Sequence, residues 1–156
     1  MQGILQRLNI IEQTETRLVL RELPLFDYAV AFALIITALI LSVASFWYSA
    51  GIAAVIALYF ILQGRVRLII FDADAGGMLI HYQTPLRKET VSAIELREIQ
   101  RAYLFKGDDM GTQIILVQVD GEEMGISIYS NDMNPWKDDI VIAINAILHE
   151  AHRDEN

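Results

Sequence analysis

The sequence predicts an apolar helical hairpin held in a membrane, joined to one small, mainly antiparallel β domain that closes with a C-terminal helix. Three observations predict it. Tyr28–Gly64 runs for 37 residues without Asp, Glu, Lys, Arg or His. The flanking segments are short apolar runs broken by Asp, Gly and Pro turn signals. The last twenty or so residues carry helix-start chemistry and an apolar stripe of helical period. At 156 residues the chain has room for about one domain besides the apolar block. Its 54% hydrophobic composition against 21% charged excludes a disordered chain. The absence of Cys excludes a disulfide-stapled secreted scaffold, thiol nucleophiles and Cys-ligated metal.

In chain order, residues 1–24 read as a strand pair. Asn9–Leu23 holds two short apolar runs around a Thr/Glu turn, Arg17-Leu-Val-Leu-Arg21 has strand composition, and Pro24 ends it. An isolated two-stranded hairpin is only marginally stable in water, so this pair is expected to join the later sheet.

Residues 25–64 are expected to form a two-helix transmembrane hairpin. A bilayer core of about 30 Å takes about 20 helical residues, so the charge-free block is too long for one crossing and fits two tight ones. The first helix is expected near Phe26–Trp47 and the second near Ser49–Gln63, with the break at Tyr48-Ser-Ala-Gly51. Trp47 and Tyr48 would then anchor one interface, Phe26 and Tyr28 the other. A cleaved signal peptide is excluded because a charged, patterned segment precedes the block. Arg7, Arg17 and Arg21 lie before it and Arg65 and Arg67 after it, while the turn has no basic residue. The positive-inside rule therefore expects a multi-pass membrane protein with both termini cytoplasmic. Small residues recur at four-residue spacing in Ala29/Ala33, Ala38/Ser42, Ala50/Ala54 and Ala53/Ala57, which suits close helix packing, first of all within the hairpin.

Residues 65–156 are expected to form the water-facing domain. Strands are predicted at Arg65–Phe71, Met78–Gln83, Glu89–Ile94, Gln100–Phe105, Thr112–Val119 and Met124–Tyr129. Turns fall at Asp72-Ala-Asp-Ala-Gly-Gly77, at the loop Lys106–Gly111 and at Asp120-Gly121. A helix over about 135–152 closes the chain. Asn134 can cap it, Pro135 suits its first position, and Asp138 and Asp139 favour its positive end. His149, His152 and Arg153 favour its negative end. Ile140, Ile144, Ile147, Leu148 and Ala151 make one apolar stripe.

Short antiparallel strands finished by one amphipathic helix resemble pleckstrin-homology-like (PH-like) folds. The whole arrangement resembles small prokaryotic two-helix membrane proteins with a PH-like cytoplasmic domain, a group that includes photosystem I assembly proteins. The matching stretches are Glu12–Pro24, Phe71-Asp72 with Gly76-Gly77, Ile94–Ile99, Ile114–Val119 with Asp120-Gly121, and the closing helix. They are turns and apolar positions, so the resemblance implies a fold, and a prokaryotic plasma (inner) membrane as its setting, rather than a chemistry.

Net charge is −8, and residues 65–156 carry nine basic against sixteen acidic groups, a net of −7. Nucleic acid is excluded as a partner on that balance. No phosphate loop, nucleophile elbow or paired catalytic constellation is present, so no enzyme activity, cofactor or resident metal is expected. His149-Glu-Ala-His152 is one residue short of the H-E-x-x-H spacing and reads as surface histidines at a helix end. Asp72-Ala-Asp74 and Asp108-Asp109 read as turn carboxylates. The basic exception is a local set, Arg65, Arg67, Arg87 and Lys88, a candidate contact for lipid headgroups or a partner. The expected role is an assembly factor, scaffold or accessory subunit of a membrane complex. Its partners would be membrane lipids and another membrane protein, with homo-oligomers also open. The rival role is anionic-lipid sensing through the basic set.

Overall fold

The computed structural model describes residues 8–107, 111–127 and 135–153. Among the described residues the strands form two antiparallel sheets. One has five strands in sequential order: β1 (Leu8–Gln13), β2 (Arg17–Glu22), β3 (Val66–Asp72), β4 (Gly77–Gln83) and β5 (Lys88–Glu95). The other has three: β6 (Ile99–Gly107), β7 (Gly111–Gln118) and β8 (Glu123–Gly125). A single 3-10 turn at Leu96–Glu98 carries the chain from one sheet to the other. Between β2 and β3 lie the helices α1 (Leu25–Val43) and α2 (Trp47–Gln63), and α3 (Pro135–Arg153) closes the chain.

The early strand pair does join the later sheet. β2 lies antiparallel to β3, with Leu18 opposite Phe71, Leu20 opposite Ile69 and Glu22 opposite Arg67. The domain is therefore built from both sides of the hairpin. Alternation along the strands sends Leu18, Leu20, Ile69, Phe71 and Met78 inward, all fully or nearly fully buried. Val66, Leu68 and Ile70, the alternating set legible in the sequence, lie half-buried on the other face. Bulges between Ile10 and Glu12, Ile80 and His81, and Ile99 and Arg101 add twist to both sheets.

Helix α3 packs mainly on β6, and also on β2, β3 and the 3-10 turn. Its predicted stripe is its buried face: Ile140, Ile144, Ile147 and Leu148 are buried, with Ala143 beside them and Ala151 at the edge. Asn145 adds a contact that its polar character conceals. Its Oδ1 accepts a hydrogen bond from the Ala102 N–H at 2.8 Å, and its Nδ2 donates to the Ala102 carbonyl at 3.0 Å. Among the described residues no strand flanks β6 on the side away from β7, and at Ala102 one side-chain amide takes that place.

The helical hairpin lies where expected, but its break does not. The predicted break at Tyr48–Gly51 is inside α2, and the helices meet at Ala44-Ser45-Phe46 instead. Ser45 has φ +64°. Its N–H bonds the Ser42 carbonyl at 3.1 Å, while the Phe46 N–H reaches back to the Leu41 carbonyl at 2.9 Å. This pair of bonds is a Schellman closure, with Ser45 in the left-handed place that Gly usually fills. Gly51 is accommodated as an ordinary helical residue with open space around it.

Hydrophobicity in the hairpin is inverted relative to a water-soluble core. Buried positions are alanines: Ala31 in α1, and Ala50, Ala53 and Ala57 in α2. The large side chains, among them Phe32, Leu39, Ile40, Val55 and Tyr59, point outward and are exposed. Helix α1 is long and apolar enough to cross a membrane, and only 6% of its span is buried within the protein. Helix α2 is a shorter apolar helix of 17 residues.

The strand predicted over Met124–Tyr129 is shorter, because β8 is only Glu123–Gly125. Beyond it Ser127 continues the pairing by side chain, its Oγ accepting from the Ile114 N–H at 2.8 Å. The Asn134 cap and the Asp108-Asp109 turn fall outside the described residues.

Candidate functional site

Both passages between sheet and hairpin lie side by side. Strand β2 ends at Glu22 and runs through Leu23-Pro24 into α1, while α2 ends at Gln63 and runs through Gly64-Arg65 into β3. Because Glu22 pairs with Arg67, the two crossings sit at the same end of the sheet. They are packed tightly: a Cβ built on Gly64 would come within 2.9 Å of the Tyr28 ring and 3.3 Å of the Pro24 ring. Tyr28, expected as an interface anchor, here seals the base of the hairpin.

A cavity of about 320 Å³ opens at this junction, lined by Glu22, Pro24, Asp27, Arg65, Arg67 and Tyr82 among others. Two members of the basic set therefore share one site. Arg67 is turned inward. Its guanidinium lies 3.7 Å from the Glu22 carboxylate, donates to the Ile126 carbonyl at 3.0 Å, and sits 6.0 Å from the centre of the Tyr82 ring. Its Nε is buried without a hydrogen-bond partner among the described residues. Arg67 thus ties the five-stranded sheet to the chain after β8, while Arg65 remains exposed at the mouth.

Burial pushes the Glu22 carboxyl above its ordinary value, and the opposing pull of the Arg67 charge only partly offsets this. The sign of the consequence follows. A carboxyl that holds its proton more tightly when folded contributes most to stability below its unfolded pKa of about 4.5. That contribution fades as pH climbs through the raised native value. Glu22→Gln fixes a neutral side chain of nearly the same shape, so it cannot lose this contribution as pH rises. It should flatten the decline in the mildly acidic range. Chemical denaturation across pH checks this, and an undiminished decline in the variant would assign the slope to other groups.

Across the sheet, Arg87 lies in the β4–β5 connection and Lys88 opens β5. The register Val66–Gln83 and Gln83–Lys88 carries them to the same end as the helix junctions. Their turn is closed by Thr84: its hydroxyl accepts from the Arg87 N–H at 3.0 Å, and its own N–H donates to the Arg87 carbonyl at 2.8 Å. Arg87 faces Glu89 at 4.0 Å in an exposed pair of little energetic weight. On the sheet face behind this turn a second cavity of about 530 Å³ has an apolar floor that includes Val19 and Leu68. Arg21, Tyr28, Thr84 and Pro85 are also among its lining residues.

The remaining candidates are engaged locally. Asp72 Oδ1 accepts from the Ala75 N–H at 2.9 Å, and Asp74 Oδ2 accepts from the Thr16 hydroxyl at 2.9 Å, so both carboxylates shape turns. His81 Nδ1 lies 2.8 Å from the Thr90 hydroxyl on the next strand. His149 is exposed and His152 half-buried near the end of α3. Trp47 and Tyr48 stand at the far end of the hairpin, 69% and 93% exposed.

Sequence reasoning found the cations but missed their separation into an inward, paired Arg67 and an outward set of Arg65, Arg87 and Lys88. It also missed Glu22, whose partner lies across the whole hairpin and is fixed only by strand register. No protein-family model matches the chain, and no curated protein matches it significantly.

Proposed function

We propose that the chain is a two-pass membrane protein whose sheet domain is held against the cytoplasmic face and serves as a non-enzymatic scaffold, assembly factor or accessory subunit of a membrane complex. The observation that carries the reading is the inverted hairpin, with alanines in its seam and large apolar side chains outside. Water penalises that arrangement at roughly 25 cal/mol per Å² of apolar surface, whereas hydrocarbon does not. The aliphatic hydroxyls in α1 are already satisfied: Thr37 donates to the Ala33 carbonyl at 2.9 Å and Ser42 to the Leu39 carbonyl at 2.8 Å. Lipid demands such internal pairing. Basic residues Arg17, Arg21, Arg65 and Arg67 all lie on the sheet side, which supports a cytoplasmic domain and cytoplasmic termini.

The five- and three-stranded sheets closed by α3 support a PH-like domain of the kind seen in small prokaryotic two-helix proteins. A scaffold needs places to dock. The hairpin has an apolar groove of about 590 Å³ floored by small residues, including Ala38, Ser42, Gly51 and Ala54, where a neighbouring helix would fit. At the edge of its sheet among the described residues, β5 offers backbone to a partner strand.

The test is fractionation of the full chain followed by purification in mild detergent. The expected result is retention in the membrane pellet after an alkaline wash, release by detergent, and a membrane protein co-purifying in fixed ratio. A monomer that stays in the supernatant without detergent would overturn the anchoring. A detergent-solubilised protein that always elutes alone would overturn the scaffold role. A second reading, recognition of anionic lipid, is favoured by the grouping of Arg65, Arg87 and Lys88 at the hairpin end of the sheet.

A further inference from the structure

We propose that the β4–β5 turn, Thr84–Arg87, is a third membrane contact, with Leu86 entering the bilayer interface and Arg87 and Lys88 meeting anionic headgroups. This rests on the reading of α1 and α2 as membrane-embedded. Three observations carry it. The strand register brings the turn to the end of the sheet where both helices leave it. Thr84 and Pro85 line the same cavity as Tyr28, which lies in the first turn of α1, so the turn stands level with the start of the first membrane helix. At its tip Leu86 is 79% exposed, beside the exposed cations Arg87 and Lys88.

An apolar side chain at a loop tip with cations beside it has the chemistry of an interfacial anchor: the side chain leaves water while the charges stay among phosphates. A protein partner would meet the same residues less well. The turn projects towards the membrane end of the domain, and a docking surface usually spreads over a broad patch with a buried centre. Glu89 is the carboxylate that competes for Arg87, but at 4.0 Å and in open solvent it yields readily to a phosphate. The domain's net negative charge keeps the contact local, since an anionic leaflet repels the domain as a whole. The turn therefore sets the tilt of the sheet against the membrane. Two helix junctions define a hinge line, and a third contact off that line fixes the remaining rotation.

The chain has no Cys, so single spin labels can be placed cleanly on the full-length protein. Labels at Leu86→Cys, at Leu39→Cys in the outward face of α1, and at Val119→Cys on an exposed turn would be compared. The protein would sit at high dilution in vesicles containing about one-third anionic phospholipid. The readout is collision with a water-soluble nickel complex against collision with oxygen. The expected result is a label at 86 shielded from nickel relative to 119. Replacing both Arg87 and Lys88 by Gln should lower the inserted-to-free ratio by roughly fivefold per cation. Nickel access at 86 equal to that at 119, with 39 still shielded, would overturn the third contact and leave the anchor standing. Nickel access at 39 as well would overturn both. Shielding at 86 that disappears on further dilution in lipid would assign the contact to a second copy of the chain and overturn the proposal.

Discussion

Phe71→Ala is expected to destabilise the sheet domain by about 3–5 kcal/mol. Phe71 is fully buried, opposite Leu18 on β2 and Met78 on β4, and it belongs to the core shared by both sheets and α3. Its removal leaves a void between elements that come from opposite sides of the hairpin. The loss should therefore fall unevenly. Amide hydrogen exchange in mild detergent should speed up across β1, β2 and β3, while α1 and α2 keep their protection, because their seam of alanines does not touch this core. Trp136 packs against the same core and gives a fluorescence signal for the unfolding itself. Equal loss of protection in sheet and hairpin would show that the two parts unfold as one unit, contrary to the division drawn from their packing.

Asn145→Leu is expected to cost about 2–4 kcal/mol, despite placing a better helix former beside an apolar stripe. The amide satisfies both the N–H and the carbonyl of Ala102, and Ala102 is itself buried. A leucine there strands two backbone groups, and each buried unsatisfied group costs about 1–3 kcal/mol. Asn145→Asp gives a second reading of the same contact. The carboxylate can still accept from the N–H but sets negative charge against the carbonyl, so its penalty should ease as pH falls and the acid gains a proton to donate. Denaturation midpoints for the two variants at neutral and mildly acidic pH would show this. A leucine variant as stable as wild type would mean that β6 finds its partners elsewhere.

The architecture was legible in the sequence wherever a physical rule acts over a short stretch. The charge-free block, the Asp-Gly and Gly-Gly turns, and the period of α3 each depend on residues close in sequence, and each landed within a few positions of the observed element. The misplaced hairpin break shows where letters mislead. Ser49 and Gly51 look like a turn, yet Gly51 lies inside α2, and the chain turns at Ser45, a residue with no strong preference for the conformation it adopts. What decides the break is a pair of backbone bonds to Leu41 and Ser42, which no side chain advertises.

The candidate site was legible as a count of cations and opaque as a geometry. Arg67 and Glu22 are partners only because β2 pairs with β3, and Arg87 and Lys88 reach the same end only through the β3–β4 and β4–β5 registers. Asn145 escaped notice for a related reason. A polar residue beside an apolar stripe is ordinarily a solvated one, and only its two bonds to the Ala102 backbone make it structural.

The placement of β2 beside β3 also has a temporal side. The ribosome delivers β1 and β2 before the hairpin, whereas β3, the neighbour of β2 on its other side, emerges only after the entire hairpin has been made and has turned back. Biogenesis therefore imposes an order. A nascent chain whose hairpin failed to double back would present β2 without its β3 partner, ready substrate for chaperones and proteases, so that completion of the sheet certifies correct folding-back of the segment that came before it.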